Sequence, residues 1–172
     1  PVYYARRPNS RRERHVSVDA DPLYPFGHGP TYADFEYEPI RLDRNRVAPA
    51  GTVTASVVVE NVGDRAGHEV VQLYAHERSP TLVRPVQELV GFERVRLAPG
   101  ESATVAFELP TARLASHDRE MNLVVEPGEF ELRVGRSAAD VASSGVVEVV
   151  GERWAVPRSA RRFVTPTTVE RA

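Results

Sequence analysis

Five histidines, 24 carboxylates and one Gly-x-Gly triplet carry most of the reactive chemistry in this 172-residue chain. His15, His28, His68, His76 and His117 stand singly, without the close spacing of a helical metal motif. His68 and His76 share strand parity, yet the extended chain between them spans roughly 26 Å. Glycosidic bond cleavage by side chains needs two carboxylates about 5–9 Å apart, one of them with a raised pKa. The acidic residues here fall mostly on polar strand faces or in turns. Glu101 and Glu129 each follow a Pro-Gly pair and read as surface residues. Gly27-His28-Gly29 lacks the preceding strand and following helix of a phosphate loop, and no serine is placed beside a base and its orienter. The absence of cysteine excludes disulfides, thiolate metal sites and a cysteine nucleophile. No catalytic, cofactor-binding or metal-binding residue can therefore be nominated, and the chain reads as a non-catalytic β domain.

The elements that would position any site are short strands. Phe35 and Tyr37 alternate with Asp34, Glu36 and Glu38 until Pro39, where a bulge or a change of sheet is expected before Ile40 and Leu42. Val53, Ala55, Val57 and Val59 alternate with polar residues, and Asn61-Val62-Gly63-Asp64 turns the chain. Val70–Ala75 is apolar on both faces and reads as a central strand, followed by a loop over 76–86. Leu89–Phe92 and Val95–Leu97 differ in parity, predicting a bulge after Phe92. Ala98-Pro99-Gly100-Glu101 has the signature of a type II turn. Ala103, Val105, Phe107 and Leu109 then give the cleanest alternation in the chain, and Pro110–Leu114 allows one helical turn. Asn122–Val125, a second Pro-Gly turn at 126–129, Phe130–Val134 and Val146–Val150 complete the series. About seven strands with turn signals roughly every 8–12 residues predict an all-β, immunoglobulin-like antiparallel sandwich, with a barrel as the alternative.

Ahead of these strands lies Pro22-Leu23-Tyr24-Pro25-Phe26-Gly27-His28-Gly29. Its prolines forbid helix and central strand, while Leu23, Tyr24 and Phe26 carry too much apolar surface for a solvated linker. Such a segment is expected to be a strap pinned between the β domain and a partner surface. Residues 1–21 read as an irregular, Arg-rich leader with an apolar Val2-Tyr3-Tyr4 and a brief alternation at His15–Val18. Residues 151–172 read as a tail with Trp154, Val156 and Phe163 as anchors. The divisions are therefore 1–29, 30–150 and 151–172. Net charge is −2, and every one of the 22 basic residues is Arg. This balance gives no general attraction to nucleic acid or anionic membrane. No apolar run approaches a membrane span and no signal-peptide pattern opens the chain. Pro1 is not a natural start, so a fragment is expected.

The motifs carry a resemblance. Pro1-Val2-Tyr3-Tyr4, the strap with Tyr32 and Phe35, Glu69–Tyr74, Arg84–Phe92, Leu97–Ser102 and Val125–Phe130 together resemble, in order, the end of family 3 glycoside hydrolases and their C-terminal fibronectin type III-like domain. The resemblance covers about residues 1–150. Pro30-Thr31 and His117–Glu120 depart from the usual pattern of the family.

That resemblance implies a fibronectin type III-like sandwich serving as an accessory domain of a retaining β-glucosidase or β-xylosidase. The nucleophile and acid/base of such an enzyme lie in segments upstream of Pro1, so none maps onto this sequence. Its implied partners are the catalytic domains of the same chain, with Leu23, Tyr24, Phe26, His28 and Tyr32 at the interface. Oligosaccharide substrate is met through that parent, which also allows a homodimer, with no nucleic acid, membrane or cofactor involved. Arg78 and Arg84 are candidates for the rim of the parent's active site, against the plainer reading of a solvated loop. Both bacterial cytoplasm and secretion remain open. A carbohydrate-binding module and an independent adhesion-type sandwich are the competing readings, and the scarcity of Trp weighs against the first.

Overall fold

The computed structural model describes residues 22–172, so the leader motifs at Val2–Tyr4, the Arg cluster and His15–Val18 lie outside the described residues. Thirteen strands follow in chain order: β1 Phe35–Tyr37, β2 Arg41–Leu42, β3 Arg46–Val47, β4 Thr52–Asn61, β5 Gly67–Glu77, β6 Glu88–Leu97, β7 Ser102–Pro110, β8 Ser116–His117, β9 Leu123–Val125, β10 Gly128–Gly135, β11 Val141–Val149, β12 Trp154–Ala155 and β13 Thr167–Arg171. One sheet runs β1-β4-β7-β13, with β2 also on β4, and a second runs β3-β11-β10-β5-β6. A small third sheet, β12-β9-β8, lies alongside. Two separate main sheets make this a sandwich and not a barrel. All pairings are antiparallel except the short contact of β3 with β11.

The period-2 alternation sets the core. Val53, Ala55, Val57 and Val59 of β4 point inward with Ala103, Val105, Phe107 and Leu109 of β7. They meet Val71 and Leu73 of β5 and Phe130, Leu132 and Val134 of β10 from the opposite sheet. Each large side chain so enclosed contributes roughly 1.5–3 kcal/mol. Turn chemistry behaves as the residues require in two places. Gly100 adopts φ 74 and Glu101 N–H donates to Ala98 O at 3.0 Å, the geometry of a type II turn. Asn61 is fully buried, and its Nδ2 donates to Arg65 O (2.7 Å) and Leu97 O (3.0 Å), closing the β4–β5 turn.

One expectation is resolved and several are corrected. Pro39 marks a one-residue register slip, since Tyr37 faces Val59 and Arg41 faces Ser56 on the same strand, so the chain bulges without changing sheet. The bulge expected after Phe92 sits at Val90, where Leu73 faces Gly91 and Tyr74 faces Leu89. Gly128 has no positive φ and begins β10 directly, so the second Pro-Gly pair is not a type II turn. β11 begins at Val141, five residues before the expected strand. The segment 151–172 is not a tail: β12 pairs with β9, and all five residues of β13 pair with β7. β13 is an exposed edge with little of either face buried, so the core imposes no alternation on its sequence. Val156 is buried, Trp154 packs half-buried against the core, and Phe163 is 86% exposed and anchors nothing.

The loop after β5 also differs from expectation, because Arg84 points inward. Its Nε lies 2.7 Å from Glu77 Oε2, both side chains being more than 90% buried. Its Nη1 donates to Leu114 O at 2.9 Å and its Nη2 donates to Ser116 Oγ. Arg84 is therefore a structural clamp and is not available as an active-site rim. Burial pushes the Glu77 carboxyl up and the Arg84 guanidinium pulls it back, leaving it raised on balance. Arg84→Ala removes the counter-charge at Glu77 and is expected to cost about 3–5 kcal/mol. The double change Arg84→Met with Glu77→Leu is expected to cost far less, a contrast that urea unfolding of the three proteins measures.

Candidate functional site

Among the described residues, the surface best suited to function is the outer face of the β5–β6 pair and the strap that is bonded to β5. β5 turns Val71, Leu73 and Ala75 to the core and His68, Val70, Gln72, Tyr74 and His76 outward. An outward row should be solvated, yet Tyr74 is fully buried and Gln72 nearly so. The strap and the loops around it cover them.

Gln72 organises the cover. Its Nε2 donates to Gly27 O at 3.0 Å and to Arg136 O, while its Oε1 accepts from the Tyr74 hydroxyl at 2.6 Å. The amide is thus satisfied on both sides without water. Beside it, Ala138 N–H donates to Phe26 O at 2.9 Å, and Gln87 Nε2 donates to Ala138 O at 2.6 Å. His28 N–H donates to Pro25 O at 3.0 Å, closing a turn whose Gly27 has φ 82. A Cβ at Gly27 would lie 2.0 Å from Gln72 Oε1, so strap backbone and amide touch where only glycine fits. The backbone of the strap is therefore held by its own domain, while its large side chains face outward. Leu23 is 87%, Tyr24 71% and Tyr32 97% exposed, and Phe26 is also exposed. The Tyr24 ring rests against the exposed His28 ring, centroids 5.3 Å apart.

A second polar cluster braces the 136–140 loop that receives the strap. Tyr37 hydroxyl donates to Glu69 Oε1 at 2.8 Å, and the Arg136 guanidinium lies over the Tyr37 ring, 5.2 Å from its centre. Arg136 Nη2 also donates to Phe35 O, and its Nη1 pairs with Asp140 at 3.5 Å. Burial pushes the Tyr37 phenol far up, which keeps it a donor. Burial also raises Glu69, outweighing the Tyr37 hydrogen bond and the Arg136 charge.

The nominated side chains thus separate. Leu23, Tyr24, Phe26, His28 and Tyr32 all lie on the exposed strap surface, Arg78 is a surface residue paired with Glu129 at 3.4 Å, and Arg84 is enclosed. The residues that hold the strap, Gln72, Tyr74, Gln87 and Arg136, are not legible as a site from spacing. The one available signal is a glutamine inside an otherwise apolar strand, Val70-Val71-Gln72-Leu73-Tyr74. Among the described residues no three His, Asp or Glu side chains converge to hold a metal ion, and no helix is long and apolar enough to cross a membrane.

Comparison with known proteins agrees with this geometry. Residues 69–138, which run from within β5 through β10, match the model of the fibronectin type III-like domain. Thermostable β-glucosidase B of Acetivibrio thermocellus is 39% identical over 151 residues, covering 87% of this chain. The chain belongs to the fibronectin type III-like domains of family 3 glycoside hydrolases. A β-xylosidase of Formosa agariphila is 40% identical over 141 residues, 80% of this chain. A solved β-glucosidase structure from Erythrobacter marinus superposes on 87% of the domain with a TM-score of 0.82 at 37% identity. In each of the three, the matched part is 20% of the relative, so the domain spans about a fifth of the chains it matches.

Gly27→Ala is expected to free the strap, since it combines a left-handed backbone with displacement of the Gln72 amide, at about 1–3 kcal/mol. Faster chymotryptic cleavage after Phe26 in the variant measures it. Glu69 titrates above its ordinary 4.5 in the fold, so its ionised form weakens the domain. Wild-type stability should therefore gain on Glu69→Gln as pH falls from 7 through the folded pKa, and the gain should be complete below 4.5. Urea midpoints of both proteins across that range give the comparison.

Proposed function

We propose that this domain is the non-catalytic accessory part of a retaining glycosidase that releases terminal β-D-glucosyl or β-D-xylosyl residues, and that it stabilises the catalytic part by docking through the strap. The relatives it matches are named β-glucosidase and β-xylosidase, and it spans about a fifth of each. The observation that carries the reading is the division of labour within Pro22–Gly29. A backbone fixed by buried hydrogen bonds presents Leu23, Tyr24 and Phe26 outward as an ordered apolar ridge. A strap that served only its own domain would turn those side chains in. Oligosaccharide is handled by the catalytic part of the parent and does not require this domain. Trp154, the single Trp, packs half-buried against the core, which disfavours it as a sugar platform.

The test is Tyr24→Ala with Phe26→Ala in the full-length enzyme. Each ring transferred back to water removes roughly 1.5–3 kcal/mol of docking, so the thermal midpoint of the enzyme should fall and half-life at elevated temperature should shorten. The kcat/KM measured well below that midpoint should stay close to wild type. An unchanged midpoint would end the docking reading. Saturable heat on titrating this chain with xylo- or gluco-oligosaccharides would replace it with carbohydrate binding.

A further inference from the structure

The sheet face beside the strap continues the same surface. Gln72 is the register partner of Phe92, Val70 of Arg94 and His68 of Arg96, so these six side chains share the outer face of β5–β6. Gln72 lies under Gly27 of the strap. Phe92 is 63% exposed, Val70 is partly exposed, and Arg94, Arg96 and His68 extend outward beyond them. Among the described residues, no ion pair or side-chain hydrogen bond engages Arg94 or Arg96.

The other half of the same face is different. On β10 and β11, Arg133 pairs with Glu131 at 2.6 Å, and Glu148 pairs with Arg46 at 3.1 Å. There the carboxyl of Glu131 is pushed up by burial but held below its ordinary range by the hydrogen bonds from Arg133 and Ser144. One half of the sheet is charge-compensated and polar. The half next to the strap has exposed apolar groups rimmed by the guanidiniums of Arg94 and Arg96, which pair with no described residue. Exposed apolar surface with a polar rim marks an interaction site, and cations without internal partners select the sign of what covers them.

We infer that the β5–β6 half of this face, not the β10–β11 half or the opposite sheet, is where the domain seats on the rest of its own polypeptide, and that the seat carries carboxylates opposite Arg94 and Arg96 around an apolar patch for Phe92. This rests on the reading of the domain as one part of a longer glycosidase. The occupant is argued from two observations: four-fifths of the length of each matched relative lies outside this domain, and the strap with its exposed ridge is hydrogen-bonded to Gln72 on the outer face of β5, in register with Phe92.

The experiment uses the full-length enzyme with Arg94→Glu and Arg96→Glu together, compared with Arg94→Gln and Arg96→Gln and with the control Arg171→Glu on the free edge of β13. Thermal unfolding is followed from low to high NaCl, with limited proteolysis as a second readout. The wild type should lose midpoint as salt rises, because exposed pairs are screened within roughly 10 Å at 0.1 M. The Gln pair should abolish that salt dependence, and the Glu pair should reverse its sign and speed proteolytic release of the domain several-fold. Arg171→Glu should change neither. If both double variants match wild type in midpoint, salt response and proteolysis, the inference is overturned. Should Tyr24→Ala with Phe26→Ala still destabilise the enzyme in that case, docking by the strap survives and only this seat is wrong. If the strap variant is also silent, the accessory reading itself has failed.

Discussion

A buried polar group without a partner is costly, and that constraint governs the outer face of the second sheet. Gln72 and Tyr74 sit at outward positions of a strand whose inward positions already fill the core. Left to water they would be ordinary surface residues. Covered, they require hydrogen bonds, and the partners available are the carbonyls of Gly27 and Arg136. The strap, the 136–140 loop and the 78–87 loop are therefore mutually dependent, because each supplies a group that another needs. The glycine at 27 follows from the same constraint, since the amide approaches the strap backbone too closely for a side chain.

The chain uses two kinds of cement at its two levels. Between the sheets, alternating Val, Leu, Ala and Phe are packed without regard to direction, and stabilisation scales with area removed from water. Around the loops, buried ions and amides act with defined geometry: Arg84 joins Glu77 to Leu114 and Ser116, and Glu69 joins Tyr37 near Arg136. Such clusters add less to stability than their short distances suggest, because each charge leaves water to form them. Their contribution is to hold particular loops in particular places. A docking surface built on loops needs that definition more than a core does.

The last residues show the same logic in reverse. β13 extends the first sheet through backbone hydrogen bonds, while Thr165 and Thr167 reach across to Val90 and Glu93 of β6 in the other sheet. The segment closes one side of the sandwich with hydrogen bonds and little apolar surface.

The sequence by itself determined the strands that face a core on one side, because burial forces period-2 alternation and β4, β7 and β10 show it plainly. It determined the type II turn at Pro99-Gly100, where only one residue pair suits the dihedrals, and the family to which the domain belongs. It also marked Pro22–Gly29 as ordered and apolar from its prolines and rings. Tertiary structure alone decided the rest. β13 has no alternation to read, since neither of its faces is substantially buried, and Arg84 in a Pro-flanked loop looks like any solvated arginine until Glu77 is placed beside it. Local parity breaks signalled irregularities at Pro39 and near Phe92, but the choice of a slip over a change of sheet and the placement of the second bulge at Val90 depend on the strand opposite. The strap could be recognised from its residues, but what fastens it could not. Gln72 acquires its role only when residues 45 positions apart are brought within hydrogen-bonding distance.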